Sequence, residues 1–182
     1  MSEARRALPG DPDPRAAVER MIRVDHAGEY GAVRIYAGQL AVLRRSGKAH
    51  VVREMAEQER KHLAAFNELV ARRRVRPTAL LPVWHLAGFA LGALTAALGE
   101  RAAMACTVAV EEAIDAHYAG QIAALGENEA ELRDTISKFR DEELQHRDTG
   151  LAHGARETPG YGLLSRAIKA GCRVAIRISE RV

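Results

Sequence analysis

Aromatic residues are scarce: three Phe, four Tyr and one Trp make up 4% of the 182 residues. That is too few for a surface that stacks bases, so no nucleic-acid partner is expected. Proline is confined to Pro9, Pro12, Pro14, Pro77, Pro82 and Pro159, which leaves residues 15–76 and 83–158 without any. Those long runs exclude an all-β fold, which needs turn signals every 8–12 residues or so, and they suit long helices. The two cysteines, Cys106 and Cys172, form no CxxC pair. They are expected as buried thiols in a reducing compartment rather than as a disulfide framework or a thiolate metal site. The first fifteen residues, MSEARRALPGDPDPR, contain no apolar stretch of signal-peptide length and carry Asp11 and Asp13, which disfavour a transit peptide. No glycine-rich nucleotide-binding motif is found either.

Apolar residues make up 47% and charged residues 28%, so the chain folds rather than staying disordered. Its length fits one domain, and the net charge of +3 is mild. A disordered tail is expected over residues 1–14 and a helical domain over 15–182. The pattern predicts helices at about 15–45, 48–74, 100–125, 128–153 and 161–180, with an apolar segment at 79–98. Short connections favour antiparallel neighbours in a bundle.

An internal repeat organises the chain. Glu29 is followed at a fixed distance by Tyr36-Ala37-Gly38-Gln39, and Glu111 by Tyr118-Ala119-Gly120-Gln121, each within the pattern E-x6-Y-A-G-Q-[LI]-A-x-L. A Glu-x-x-His element trails each copy, Glu59 with His62 and Glu143 with His146. Helical spacing puts all six on apolar stripes: Val52, Met55, Glu59, His62, Phe66, Leu69 in one helix, and Leu132, Ile136, Phe139, Glu143, His146 in another. Four carboxylates facing one another in a core repel, and each costs several kcal/mol to desolvate. Two metal ions would neutralise them. A Glu from each of two helices and Glu-x-x-His from each of two others is the ligand set of di-iron and di-manganese carboxylate bundles. Hard oxygens with one nitrogen per ion favour iron or manganese over zinc.

The strings RVDHAGEYGAVRIYAGQLAVL, MACTVAVEEAIDAHYAGQI, KFRDEELQHRDTGLAHGA and AGCRVAIRISERV resemble the demethoxyubiquinone hydroxylases, membrane-associated ferritin-like di-iron proteins, over nearly all of residues 20–182. The resemblance implies an all-α, ferritin-like four-helix bundle with an added membrane-interfacial apolar helix and a C-terminal amphipathic helix. It implies two iron ions (Fe2+/Fe3+) held by Glu29, Glu59, His62, Glu111, Glu143 and His146. In that scheme Glu59 and Glu143 bridge, Glu29 and His62 serve one iron, and Glu111 and His146 serve the other. The implied reaction is hydroxylation of the ring of a demethoxy polyprenyl benzoquinol by O2 in ubiquinone biosynthesis, with NADH or the quinol itself as electron donor. Implied partners are a lipid surface, a lipid-binding accessory protein of the same pathway and a second copy of the chain. The implied place is the cytoplasmic face of a bacterial membrane, or the matrix side of the mitochondrial inner membrane for a mature eukaryotic chain.

Other residues draw readings of their own. Asp115, one turn past Glu111, is expected to orient a ligating imidazole, with a salt bridge to a neighbouring helix as the alternative. His117 and Tyr118 are placed against the quinol by the resemblance, while spacing alone makes Tyr36 and Tyr118 core residues with satisfied hydroxyls. His26 is a core histidine or a proton carrier. Residues 77–99 carry no charge and follow Arg72, Arg73, Arg74 and Arg76, a pattern of membrane contact rather than of crossing. An iron-storage or ferroxidase protein of the ferritin type is the main rival; the apolar segment disfavours it. A rubrerythrin-like peroxidase lacks its cysteine site here, and a metal-free membrane adaptor is opposed by the buried carboxylates.

Overall fold

The computed structural model describes residues 13–182, and the greater part of the expected N-terminal tail, residues 1–12, lies outside them. Six helices follow in order: α1 Pro14–Leu43, α2 Ala49–Arg73, α3 Leu81–Ala97, α4 Glu100–Ala124, α5 Ala130–Ala152 and α6 Tyr161–Ser179. Each falls within about two residues of its expected place. The tail ends sooner than expected, because Asp13 caps α1 by accepting a bond from the Arg15 amide at 2.9 Å, and Pro14 occupies the first turn. Arg74 adopts a left-handed conformation (φ 54°) and stops α2 ahead of Pro77.

Helices α1 and α2 pack together, as do α4 and α5. Across the core, contacts between α1 and α4 run in reverse order. Glu29 meets Tyr118 while Tyr36 meets Glu111. The same reversal relates α2 to α5, with His62 on Glu142 and Gln58 on His146. Each half of the repeat therefore lies antiparallel to its counterpart, and the two halves are related by an approximate twofold axis through the centre. The connection from α2 to α4 is the single long one, and it contains α3.

Helix α3 packs on α1 through glycine. A Cβ at Gly92 would lie 1.9 Å from the Ile35 carbonyl oxygen, and one at Gly38 would lie 2.1 Å from that of Phe89. Backbones this close admit no side chain, so Gly92→Ala is expected to destabilise the fold by about 1–3 kcal/mol. Gly171→Ala in α6, where a Cβ would meet nothing within 4 Å, should stabilise by about 0.5–1 kcal/mol through helix propensity. Urea unfolding of both variants checks this; a neutral Gly92→Ala would refute the tight crossing.

Helix α6 packs on α4, and the Trp84 indole N–H donates to Ser179 Oγ at 3.1 Å, tying α3 to α6. The two helices thus share a layer over α1 and α4. Their outer faces leave Val83, Leu86, Leu94 and Leu98 of the α3 region and Leu163, Val174 and Ile178 of α6 exposed. Among the described residues no helix is long and apolar enough to cross a membrane.

Candidate metal centre

Six titratable side chains meet where the four long helices converge. Glu29 comes from α1, Glu59 and His62 from α2, Glu111 from α4, and Glu143 and His146 from α5; none is more than 3% exposed. They form two overlapping groups, Glu29, Glu59, His62, Glu143 and Glu59, Glu111, Glu143, His146, whose donor atoms lie within 4.8 Å of one another in each group. Glu59 and Glu143 are common to both. The Nδ1 atom of each imidazole faces inward: that of His62 is 3.0 Å from Glu143 Oε1, and that of His146 is 3.1 Å from Glu143 Oε2 and 3.0 Å from Glu59 Oε1.

Burial and mutual repulsion dominate the electrostatics. Burial, then the charge of Glu143, holds the Glu59 and Glu111 carboxyls well above the usual range. Glu29 is also raised, chiefly by burial. Burial opposes protonation of His62, but the Glu143 and Glu29 carboxylates beside it outweigh this and push it up to about 11. Glu143 alone goes the other way: burial would raise it, yet the two imidazoles draw it down to about 2. Four carboxylate oxygens, Glu29 Oε2, both of Glu59 and Glu111 Oε2, accept no hydrogen bond among the described residues; the 3.0 Å approach of His146 Nδ1 to Glu59 Oε1 lacks hydrogen-bond geometry. Buried acceptors left unpaired around inward-facing imidazoles fit a site for hard cations.

A supporting shell repeats the pseudosymmetry. Tyr36 donates to Glu111 at 3.0 Å and Tyr118 donates to Glu29, so each repeat's tyrosine holds the other repeat's carboxylate. Phe139 stacks on the His62 ring with 4.1 Å between centroids. The outward Nε2 of His62 lies 2.6 Å from Glu142 Oε2, and that of His146 lies 3.2 Å from Gln58 Oε1. Neither Glu142 nor Gln58 was singled out by sequence, although each directly precedes the Glu of a Glu-x-x-His. Gln39 and Gln121, present in the repeat string, also reach across. Gln39 donates to the Ala103 carbonyl at 3.1 Å and Gln121 to Asp25 Oδ1 at 2.8 Å. Asp25 is buried, which raises its carboxyl, and its Oδ1 is 3.1 Å from His117 Nε2.

Two expectations need correction. Asp115 does not hold an imidazole: it is partly exposed and accepts a bond from Arg140 Nε at 2.6 Å, while the outer imidazole nitrogens belong to Glu142 and Gln58. Asp115→Asn is therefore expected to keep wild-type metal content and lose no more than about 1 kcal/mol of stability. A tenfold fall in metal affinity would restore Asp115 to the centre. The basic run before the apolar segment is also partly spoken for, since Arg72 pairs with Glu131 and Arg73 with Glu129 where the end of α2 meets the start of α5. His26 lies 2.9 Å from Asn67 Oδ1, and burial lowers its pKa, which keeps the ring neutral. His117 borders an open hollow of about 360 Å³ formed by α1, α4 and Glu180, outside the ring of six.

A four-helix bundle with two overlapping carboxylate-histidine groups, each able to hold a metal ion, is thus the class that fold and site define. Comparison with known proteins gives the family. It matches the family described as "Ubiquinone biosynthesis protein COQ7" over residues 16–179. It is 62% identical over 176 residues to the 3-demethoxyubiquinol 3-hydroxylase of Rhodospirillum rubrum, covering 96% of this chain and 83% of that protein. It is 59% identical over 172 residues to the human NADPH-dependent 3-demethoxyubiquinone 3-hydroxylase, mitochondrial (92% and 79% covered). It is 43% identical over 188 residues to the Saccharomyces cerevisiae 5-demethoxyubiquinone hydroxylase, mitochondrial (93% and 81%). The chain belongs to the COQ7 family of ubiquinone biosynthesis proteins.

Proposed function

We propose that the chain is a di-iron monooxygenase that hydroxylates the ring of a demethoxy polyprenyl benzoquinol. The observation that carries this reading is the pair of overlapping ligand groups sharing Glu59 and Glu143, with four unpartnered carboxylate oxygens between them. Membership of a family whose relatives are named for hydroxylation of demethoxyubiquinone supports the substrate. When bound, iron supplies the two-electron cleavage of O2 that puts one oxygen into a ring C–H and releases the other as water. The chain's own residues do the rest. Glu29 and His62 would hold one ion, Glu111 and His146 the other, and Glu59 and Glu143 would be shared by both. Tyr118 and Tyr36 keep the Glu29 and Glu111 carboxylates in place through their hydroxyl donors. The packed apolar shell keeps the centre dry. His117, at the edge of the hollow beside Asp25 and Gln121, would handle protons for the quinol. The electrons come from a reduced nicotinamide, as the mammalian relatives' names suggest by NADPH.

The membrane is the second element of the proposal. The outer faces of α3 and α6, with Arg166, Arg173 and Arg177 exposed along α6, form a peripheral membrane surface through which a polyprenyl tail approaches. A lipid-binding accessory protein and a second copy of the chain are partners that the same face would suit.

Metal uptake should depend on pH. His62, pushed up to about 11, carries a proton at neutral pH in the metal-free protein, and the Glu59 and Glu111 carboxyls are also held toward their protonated forms. Ligation requires those protons to leave, so affinity rises with pH. Calorimetry with ferrous or manganous ion at pH 6 and pH 8, in buffers of different ionisation heat, should show proton release and tighter binding at pH 8. Binding without proton release would refute it.

The test of function is the quinone profile of cells that lack this protein. Accumulated demethoxyubiquinone supports the hydroxylase; unchanged quinones with disturbed iron pools would support iron storage instead.

A further inference from the structure

The two halves of the centre match in their ligands and in the tyrosines that hold them, and one difference lies directly behind the two histidines. Tyr118 on Glu29 mirrors Tyr36 on Glu111, and Glu59 and Glu143 belong to both groups. The outer nitrogens of the two histidines differ. His62 Nε2 meets a carboxylate oxygen of Glu142 at 2.6 Å, whereas His146 Nε2 meets the carboxamide oxygen of Gln58 at 3.2 Å. Gln58 and Glu142 occupy equivalent places, each directly before the Glu of its Glu-x-x-His. At these equivalent positions the sequence puts a charge on one side and a neutral amide on the other.

We propose that Glu142 and Gln58 are positioning residues that make the two metal positions unequal, the one at His62 and Glu29 being the tighter. This rests on the di-metal reading of the centre. With Nδ1 directed at the metal, Nε2–H must be the donor to the outer group. A carboxylate acceptor draws that proton toward itself, enriches the ring in electron density and strengthens Nδ1 as a ligand. A carboxamide does so far less, because the hydrogen bond lacks charge assistance, and the 0.6 Å difference in length agrees. Fixing the ring plane adds to the effect, since Phe139 already stacks on His62 from the other direction. An unequal pair gives the protein a defined order of loading, the His62 position first, and two ions of different electron richness in one centre.

Anaerobic calorimetric titration with ferrous ion, paired with Mössbauer spectra of the loaded protein, tests this on the wild type, Gln58→Glu and Glu142→Gln. The wild type should take up two ions in two steps separated by about 10–100-fold, the usual weight of an outer hydrogen-bond partner, and should show two iron environments. Glu142→Gln should weaken the first step by a similar factor. Gln58→Glu should tighten the second and bring the two environments together, a gain that a merely structural role would not produce. If Glu142→Gln fails to fold, Gln58→Glu decides the question alone. Two ions bound with both steps unmoved in the variants would overturn the inequality and leave the di-metal centre standing. A wild type that binds no iron would overturn the centre itself.

Discussion

Glu59→Gln is expected to empty both metal positions at once and to lower hydroxylation by more than about 100-fold, beyond what outer-sphere changes cause. Glu59 belongs to both ligand groups, so removing one of its oxygens as an anionic donor weakens both ions. Glu29→Gln and Glu111→Gln, each in a single group, should spare one ion per chain. The fold should survive. Both oxygens of Glu59 lack a hydrogen-bond partner, and its carboxyl is already driven toward the neutral form by burial and by Glu143. An isosteric neutral amide therefore changes the metal-free protein by about 1 kcal/mol or less. Wild type should gain thermal stability on adding ferrous ion, about 2.7 kcal/mol at a hundredfold excess over Kd, and the variant should gain none. Iron content, product formation and melting with and without metal provide the three readouts. A variant that keeps two irons, or one that turns over without them, would refute the assignment.

What the sequence reveals and conceals follows from what helical periodicity can encode. Spacing of three and four along one helix says which side chains share a face, so the stripe through Val52, Met55, Glu59, His62, Phe66 and Leu69 is legible, and all six are buried. The repeat adds that four such faces have chemistry in common. Neither says which residue on one helix meets which on another, because that depends on the relative register of packed helices. Glu142, Gln58 and Asp25 were missed for this reason: each makes its contact across the bundle. Asp115 was misjudged for a related one. It follows Glu111 by four residues, a rotation of about 40° past a full turn. That turns it off the centre toward α5, where Arg140 lies one turn before Glu143. The place of α3 on α1 was equally hidden. Gly38, Gly88 and Gly92 are single letters in a small-residue segment until the partner helix shows that a Cβ at each would run into its backbone.

Leu86→Gln, Leu94→Gln and Leu163→Gln combined are expected to release the protein from anionic phospholipid vesicles, with affinity falling about 1,000-fold or more. The three side chains are 67–71% exposed on the layer formed by α3 and α6. Such exposed positions contribute about 0.5 kcal/mol or less each to folding, while burying each in an acyl layer is worth about 1.5–3 kcal/mol. The variant should thus fold, bind metal and fail to dock. Crossing the bilayer is excluded on geometry. Helix α3 has 17 residues, about 25 Å at 1.5 Å per residue, against a hydrocarbon core of about 30 Å. Its inner face is fixed to α1 through Gly88 and Gly92. Glu29, Glu59 and His62 precede it, Glu111, Glu143 and His146 follow it, and all six meet at one centre. A crossing at α3 would put the two halves of that centre on opposite sides of the membrane. Electrostatics then adds to docking without replacing it. Arg166, Arg173 and Arg177 are exposed on α6 and contribute about 1 kcal/mol each near anionic headgroups. High salt should therefore release wild-type protein in part, and the leucine variant should lose what salt leaves behind. Vesicle flotation of both proteins at low and high salt measures the two contributions separately. Flotation of the leucine variant equal to wild type, or protease cleavage of the two ends of α3 from opposite faces of a sealed vesicle, would refute a surface-lying helix.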